Sequence, residues 1–241
     1  MKCLIIAAGQ GTRLRSRAPS KPLAEIAGAP LIEHIVRLAG AGGATEFLVV
    51  TGYAPDPLEK HLGALSARLG TGIELVRNPE WERPNGVSVL AAAERLEGAF
   101  ILLMSDHLFD PEILRALIAG RDPAAKLTLA ADYRLDNPLT DMDDATKIEV
   151  APDGRIVRLG KTIETYNAID TGIFLAGPSL IEALRASIEA GGSGSLSEGV
   201  QRLADQGKAR AFDIGARWWI DVDDEAAFRR AEQSLPEELR L

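Results

Sequence analysis

The run KCLIIAA (2–8) is apolar at every position after its first residue. A strand exposed on one face alternates apolar and polar residues; this one does not, so both of its faces must be covered. That demand restricts the chain to a layered α/β architecture with a central strand near its beginning. The segments that follow agree. PLIEHIVRLAGAGG (30–43) places Leu31, Ile35 and Leu38 at helical spacing and ends in glycines, a helix stop signal. EFLVVTGY (46–53) reads as a strand, PLEKHLGALSARLG (57–70) as a helix and GIELVRN (72–78) as a strand. A helix across VSVLAAAERL (87–96) and a buried strand AFILLMSD (99–106) follow. Successive strand–helix units of this kind build a mostly parallel sheet with helices on both faces.

From Lys126 the texture changes. KLTLAADY and TKIEVAPDGRIVRLG are strand-like, and Asp153-Gly154 is a tight-turn signal joining two strands. ETYNAIDTGIFLAG (164–177) is a longer strand, PSLIEALRASIEAGG and LSEGVQRLADQG are helices, ARAFDIG (209–215) a strand and DDEAAFRRAEQSL (223–235) a closing helix. No linker or repeat divides the chain, so one domain is expected over 1–241, with a mixed-sheet region appended to the parallel one.

A chain of 241 residues with 46% hydrophobic and 26% charged residues can bury a large core without staples. The single cysteine, Cys3, reads as a small buried hydrophobe in a reducing compartment. A net charge of −8 argues against a duplex nucleic-acid binder but not against small anions, which respond to the local field of a cleft. No apolar run approaches the roughly 20 residues of a membrane span, and no leader pattern precedes Lys2. A cytoplasmic protein with no membrane insertion is expected.

Against that acidic background, LIIAAGQGTRLRSRAPSKPL (4–23) carries Arg13, Arg15, Arg17 and Lys21 and no acid. A P-loop is excluded, because the second glycine comes two residues after the first and no Lys-Ser/Thr pair follows. A dinucleotide fingerprint is excluded too: Leu14 stands where the third glycine belongs, and the second strand ends VVTGY without a carboxylate. What remains is a loop that brings its own cations. Gly9 and Gly11 let backbone approach a phosphate chain, Arg13 offers a planar fork and Lys21 a mobile point charge.

The stretch LIIAAGQGTRL…SKPLAEIAGAPLIEHIV resembles the signature of the sugar-phosphate nucleotidyltransferases, G-x-G-T-R…P-K-P-L, with Ser20 in place of the proline before the lysine. The resemblance implies a Rossmann-like, GT-A-like fold: a mostly parallel mixed sheet flanked by helices. It further implies that residues 1–125 hold a nucleoside triphosphate and 126–241 an acceptor. Ala8, Gly9, Gly11, Thr12, Arg13 and Lys21 would line the triphosphate, with Arg13 on the departing pyrophosphate and Lys21 on the reacting phosphates as the catalytic pair.

Asp106 ends an apolar strand at the edge where open α/β sheets bind ligands, and a carboxylate there suits Mg²⁺. Asp110 is better placed to cap the helix at Pro111, and His107 reads as a wall residue. In WWIDVDD (218–224), Asp223 or Asp224 is expected to cap the last helix, leaving Asp221 to join Asp106 at the metal, with Mn²⁺ an acceptable substitute for Mg²⁺. Asn85, Gly86 and Ser88 form a turn before a helix; the family uses a glycine-containing turn there to read the base. Lys147 and Lys161 suit the acceptor's phosphate, and Glu164, Asn167 and Asp170 its hydroxyls.

The segments FILLMSDH, DATKIEVAPDGRIVRLGK, ETYNAIDTGIF and WWIDVDD are similar to those of the CTP:L-myo-inositol-1-phosphate cytidylyltransferases. That resemblance implies CTP and an anionic polyol phosphate as substrates, and CDP-inositol and pyrophosphate as products. A membrane CDP-alcohol phosphatidyltransferase would then be a separate protein, and a homodimer is compatible with the sequence. Uridylyl or cytidylyl transfer to another sugar 1-phosphate or to phosphocholine remains an alternative. So does a non-catalytic nucleotide-sugar sensor on the same fold.

Overall fold

The computed structural model describes residues 1–14 and 17–240. Strand β1 (Lys2–Ala7) is followed by a loop with short 3₁₀ turns at Thr12–Leu14 and Lys21–Leu23. A small hairpin, β2 (Glu25–Ile26) and β3 (Ala29–Pro30), leads into α1 (Leu31–Ala41). Then come β4 (Glu46–Thr51), α2 (Pro55–Leu69), β5 (Ile73–Arg77), α3 (Gly86–Ala91), β6 (Phe100–Met104), β7 (His107–Phe109) and α4 (Pro111–Ala119). The second half holds β8 (Leu127–Asp132), β9 (Lys147–Val150), β10 (Ile156–Gly160) and β11 (Ala168–Ala176). It closes with α5 (Pro178–Glu189), α6 (Leu196–Asp205), β12 (Ala209–Asp213), β13 (Trp219–Asp221) and α7 (Glu225–Ser234).

The doubly covered strand read from the sequence is β1. Cys3, Ile5 and Ala7 enter one core with α1, α2, α4 and α7, while Leu4 and Ile6 enter a second core with α3, α5 and α6. Cys3 is fully buried, and burial pushes its thiol far up and out of reactive range. The sheet runs β10-β9-β11-β6-β1-β4-β5, with β8 on β11 and β12 on β8. β1 pairs in parallel with both β4 and β6, so the chain winds outward to β5 and then returns to the other side of β1. The crevice between the carboxyl ends of β1 and β6 is therefore a topological switch point, where such sheets bind ligands.

β11 runs antiparallel to β6 and joins the two halves of the chain in one sheet. β8 follows β11 from Ile169 to Leu175, so β9 and β6 share the opposite edge, β9 at Ala168–Ile169 and β6 from Ile173. The register shifts between Asp170 and Phe174, where Gly172 adopts φ +72°. A Cβ there would stand 3.0 Å from the His107 ring, so this glycine lets the bulge close onto β7. β7 pairs antiparallel with β13, placing His107 opposite Asp221.

Candidate active site

A cavity of about 490 Å³ opens at the switch point, within the usual range for small-molecule sites. Its wall takes Gly9, Gly11, Thr12, Arg13 and Lys21 from the loop after β1, Asp106 from the turn after β6 and His107 from the start of β7. Lys161, Asp170 and Gly172 come from the mixed-sheet half, Asp221 from the end of β13 and Asp223 from the turn before α7.

Lys21 is held by local geometry. Pro22 sits in the first turn of the Lys21–Leu23 3₁₀ helix, and Ala24 N–H donates to the Lys21 carbonyl at 3.0 Å. Ser20 has φ −144°, a value the ring of proline forbids, so the departure from the family signature has a backbone correlate. Lys21 is buried, and its ammonium donates to Asp106 at 2.6 Å and to Asp223. Burial disfavours that cation, but Asp106, Asp221 and Asp223 outweigh it and raise its pKa, so Lys21 stays charged. Arg13 donates two bonds of 3.0 Å to Asp144 and one of 3.2 Å to Asp223.

The carboxylates form a second group. His107 Nδ1 lies 2.8 Å from Asp106 and Nε2 lies 3.6 Å from Asp221, with the ring stacked on Trp219. Burial lowers the imidazole pKa, but Asp221 and Asp106 overcome it and lift it to about 9, which favours the protonated ring. Burial acts against the Asp106 carboxylate, yet Lys21 and His107 carry its pKa well below the usual range. Asp221 goes the other way: burial raises its pKa against the pull of His107, and its Oδ1 is buried without a hydrogen-bond partner. Asp170, on the bulge, is pushed up to about 6 by burial, although it accepts from Gly172 N–H.

Asp106, His107 and Asp221 present ligand atoms within 4.8 Å of one another. A buried, orphaned oxygen on the half-buried Asp221 carboxylate, near a second carboxylate, fits a hard divalent cation. His107 already bonds Asp106 through Nδ1 and only approaches Asp221, at 3.6 Å, which leaves oxygens of Asp106 and Asp221 for the ion.

Positions 3–204 match the family model of the MobA-like NTP transferase domain. The chain belongs to this family. It is similar to the bifunctional IPC transferase and DIPP synthase of Rubrobacter xylanophilus, with 36% identity over 236 residues, covering 96% of this chain and 51% of that protein. The protein of the same description from Thermococcus kodakarensis is 32% identical over 240 residues, covering 97% of this chain and 50% of its own length. The chain thus spans about half the length of these curated relatives. Among solved structures, the inositol-1-phosphate CTP transferase from T. maritima superposes with a TM-score of 0.83 at 27% identity, over 94% of this chain and 90% of that one. A UDP-glucose pyrophosphorylase shares the fold, with a TM-score of 0.82 at 18% identity, over 97% of each chain.

Within this NTP transferase domain the sequence-derived residues separate into two sets. Gly9, Gly11, Thr12, Arg13, Lys21, Asn85, Asp106, Lys161, Asp170 and Asp221 reach the cavity wall. The others turn elsewhere. Ala8 is buried, and its carbonyl accepts from Tyr53 N–H. Gly86 packs against the Gly194 carbonyl, and the Ser88 hydroxyl is buried, accepting from Asn78. Even Asn85 spends its side-chain carbonyl on Leu196 N–H. The Asn167 amide brackets the Val150 backbone, Lys147 donates to the Lys161 carbonyl, and Glu164 is exposed outside the cavity wall.

Other expectations are resolved or revised. Asp110 caps α4 by accepting from Glu112 N–H, and Asp224 caps α7 by accepting from Ala227 N–H, which frees Asp223 for Lys21 and Arg13. His107 lies on the cavity wall, as expected, and there it also stands between Asp106 and Asp221. Arg17 grips Glu225 with two bonds and lies 4.2 Å over the Phe228 ring, tying the basic loop to α7. Arg15 falls outside the described residues. Asp144 was not legible as a site residue, because DMDDATK is an acid-rich turn with no distinguishing spacing. Among the described residues, no helix is long and apolar enough to cross a membrane.

Proposed function

We propose that this protein is a CTP:inositol-1-phosphate cytidylyltransferase, releasing pyrophosphate and forming CDP-inositol. The observation that carries the reading is the convergence of Arg13, Lys21, Asp106 and Asp221 at the switch point of a nucleotidyltransferase domain. The choice of substrates is supported by the names of the relatives that span nearly the whole chain.

In the proposed reaction, an oxygen of the acceptor's phosphate attacks the α-phosphorus of CTP, and the bond to the β-phosphate oxygen breaks. A phosphate monoester with a second pKa of about 6 is already a dianion at neutral pH, so no general base is required. The protein's work is to hold two anions in line and offset their charge. Lys21 serves the reacting phosphates and Arg13 the departing pyrophosphate. Asp106 and Asp221 would hold a divalent cation, Mg²⁺ or Mn²⁺, which when bound would supply positive charge to offset that of the phosphates. Lys161 and Asp170 face the acceptor, the first for its phosphate and the second for a hydroxyl. CDP-inositol is an activated alcohol for a membrane CDP-alcohol phosphatidyltransferase, and we place the reaction in the cytoplasm.

A pyrophosphate-release assay crossing CTP, UTP, GTP and ATP with inositol 1-phosphate, hexose 1-phosphates and phosphocholine tests the reading. CTP with inositol 1-phosphate is expected to give the highest kcat/KM; activity confined to a hexose 1-phosphate overturns the acceptor assignment. Lys21→Ala is expected to lose at least about a hundredfold in kcat while remaining folded. A near-normal rate in that variant removes the mechanism.

A further inference from the structure

The segment between β8 and β9, residues 133–146, contributes Asp144 to the cavity wall. One oxygen of this carboxylate accepts both bonds from Arg13 at 3.0 Å, and the other accepts from the Lys161 ammonium. Arg13 belongs to the nucleotide loop and Lys161 to the acceptor half. A single carboxylate thus joins the two sides of the cavity, with two oxygens facing two cations as a phosphate would present them.

The cations on the wall are already matched by carboxylates. Lys21 has Asp106 and Asp223, Arg13 has Asp144 and Asp223, and Lys161 has Asp144. Phosphates that reach these side chains compete with the carboxylates already bonded to them. Asp106 and Asp223 stand on short turns after strands β6 and β13. Asp144 stands on the longer loop between β8 and β9, where Leu139, Met142 and Ala145 pack against the core. Leu139 and Asp143 N–H groups donate to the side chains of Asn137 and Asp141, and those of Thr140, Asp144 and Ala145 to carbonyls of Asn137 and Asp141. These bonds are local to the segment. It is anchored at its ends, where Arg134 and Asn137 donate to the buried Asp132 carboxylate and Asp170 N–H donates to the Thr146 carbonyl.

We infer that Asp144 is a displaceable internal anion: it holds Arg13 and Lys161 together in the free protein and yields both to substrate phosphate oxygens, with residues 138–145 drawing back from the cavity. The inference rests on the reading of this cavity as a nucleotide and phosphate site. The Lys161 and Arg13 bonds also hold the Asp144 carboxyl down to about 2, so it is an anion throughout the working range of pH. A permanent anion at a phosphate site weakens phosphate binding by the work of moving it away.

The test uses the full chain and inorganic pyrophosphate as probe. Asp144→Asn keeps the shape and removes the charge; Asp144→Ser, on the same exposed turn, is the second variant. Calorimetry is expected to show at least tenfold tighter pyrophosphate binding in both, with wild-type affinity restored in Asp144→Glu. The KM for CTP is expected to fall several-fold while kcat does not rise. Hydrogen exchange across 138–145 is expected to accelerate when pyrophosphate is added to the wild type, and to be fast without it in Asp144→Asn. Unchanged or weaker pyrophosphate binding in folded Asp144→Asn overturns the inference and makes Asp144 an orienting group for the two cations. If the wild type turns over no nucleotide with any acceptor while the variants still bind pyrophosphate more tightly, the cytidylyltransferase reading falls and the exchange stands.

Discussion

At the scale of single residues, the two glycines of the basic loop have different roles. A Cβ added to Gly9 meets nothing within 4 Å, so this position is open toward the cavity. A Cβ added to Gly11 would stand 2.3 Å from the Cβ of Lys21, and Gly11 has φ +56°. The contact is with the root of the lysine, which cannot swing aside without moving its backbone. Gly11→Ala is therefore expected to displace the Lys21 ammonium and lower kcat at least tenfold without removing any charge. Strain and overpacking together are expected to cost about 1–3 kcal/mol in thermal melts. Gly9→Ala is expected to leave stability within about 0.5 kcal/mol and to raise the KM for CTP. Equal effects of the two substitutions on stability would refute the distinction. The sequence shows the glycine pair and its cations, because both lie within one loop. It does not show His107 between Asp106 and Asp221, because that link needs β13 beside β7.

At the scale of elements, legibility follows length. Helices such as α1 and α5, and the apolar strands β1, β4 and β6, were readable from periodicity, with ends shifted by a few residues. β7 and β13 have three residues each, too few for a period, and they pair across nearly half of the chain. The start of α6 carries a signal that spacing does reveal, Ser195 followed by Glu198 three positions on. The Ser195 hydroxyl accepts from Glu198 N–H at 3.2 Å. The Glu198 carboxylate reaches back to accept from Ser193 N–H and hydroxyl, Gly194 N–H and the Ser187 hydroxyl. Burial raises its pKa, but these four bonds outweigh that and hold it down to about 2. A depressed carboxylate pKa contributes stability that is complete above the ordinary value of 4.5 and is lost as pH falls toward 2. Glu198→Gln is expected to destabilise the protein by about 1–2 kcal/mol at neutral pH. The deficit should shrink as pH drops below 4.5. Urea titrations at several pH values measure it, and a deficit independent of pH would exclude the carboxylate's charge as the cause.

At the scale of the molecule, the parallel half of the sheet was legible because β1, β4 and β6 are doubly buried and strands alternate with helices there. The mixed half was legible as strands, but its place on the sheet was not. Nothing local in Ala168–Ala176 states that it will pair with β8 over its length, with β9 at its start and with β6 at its end. That arrangement makes one sheet of two halves. Phe174 and Leu175 of β11 stand opposite Leu102 and Ile101 of β6 in register. Leu175 enters the core shared with α1, and Phe174 enters the one shared with α5. Neither core can open on one side of the β6–β11 seam without exposing apolar side chains on the other. The chain should therefore unfold as a single cooperative unit. Native-state hydrogen exchange in increasing denaturant is expected to bring the amides of β4, in the nucleotide half, and of β8, in the acceptor half, to one common opening free energy. Two separate values would place a boundary at the seam and make the halves independent domains.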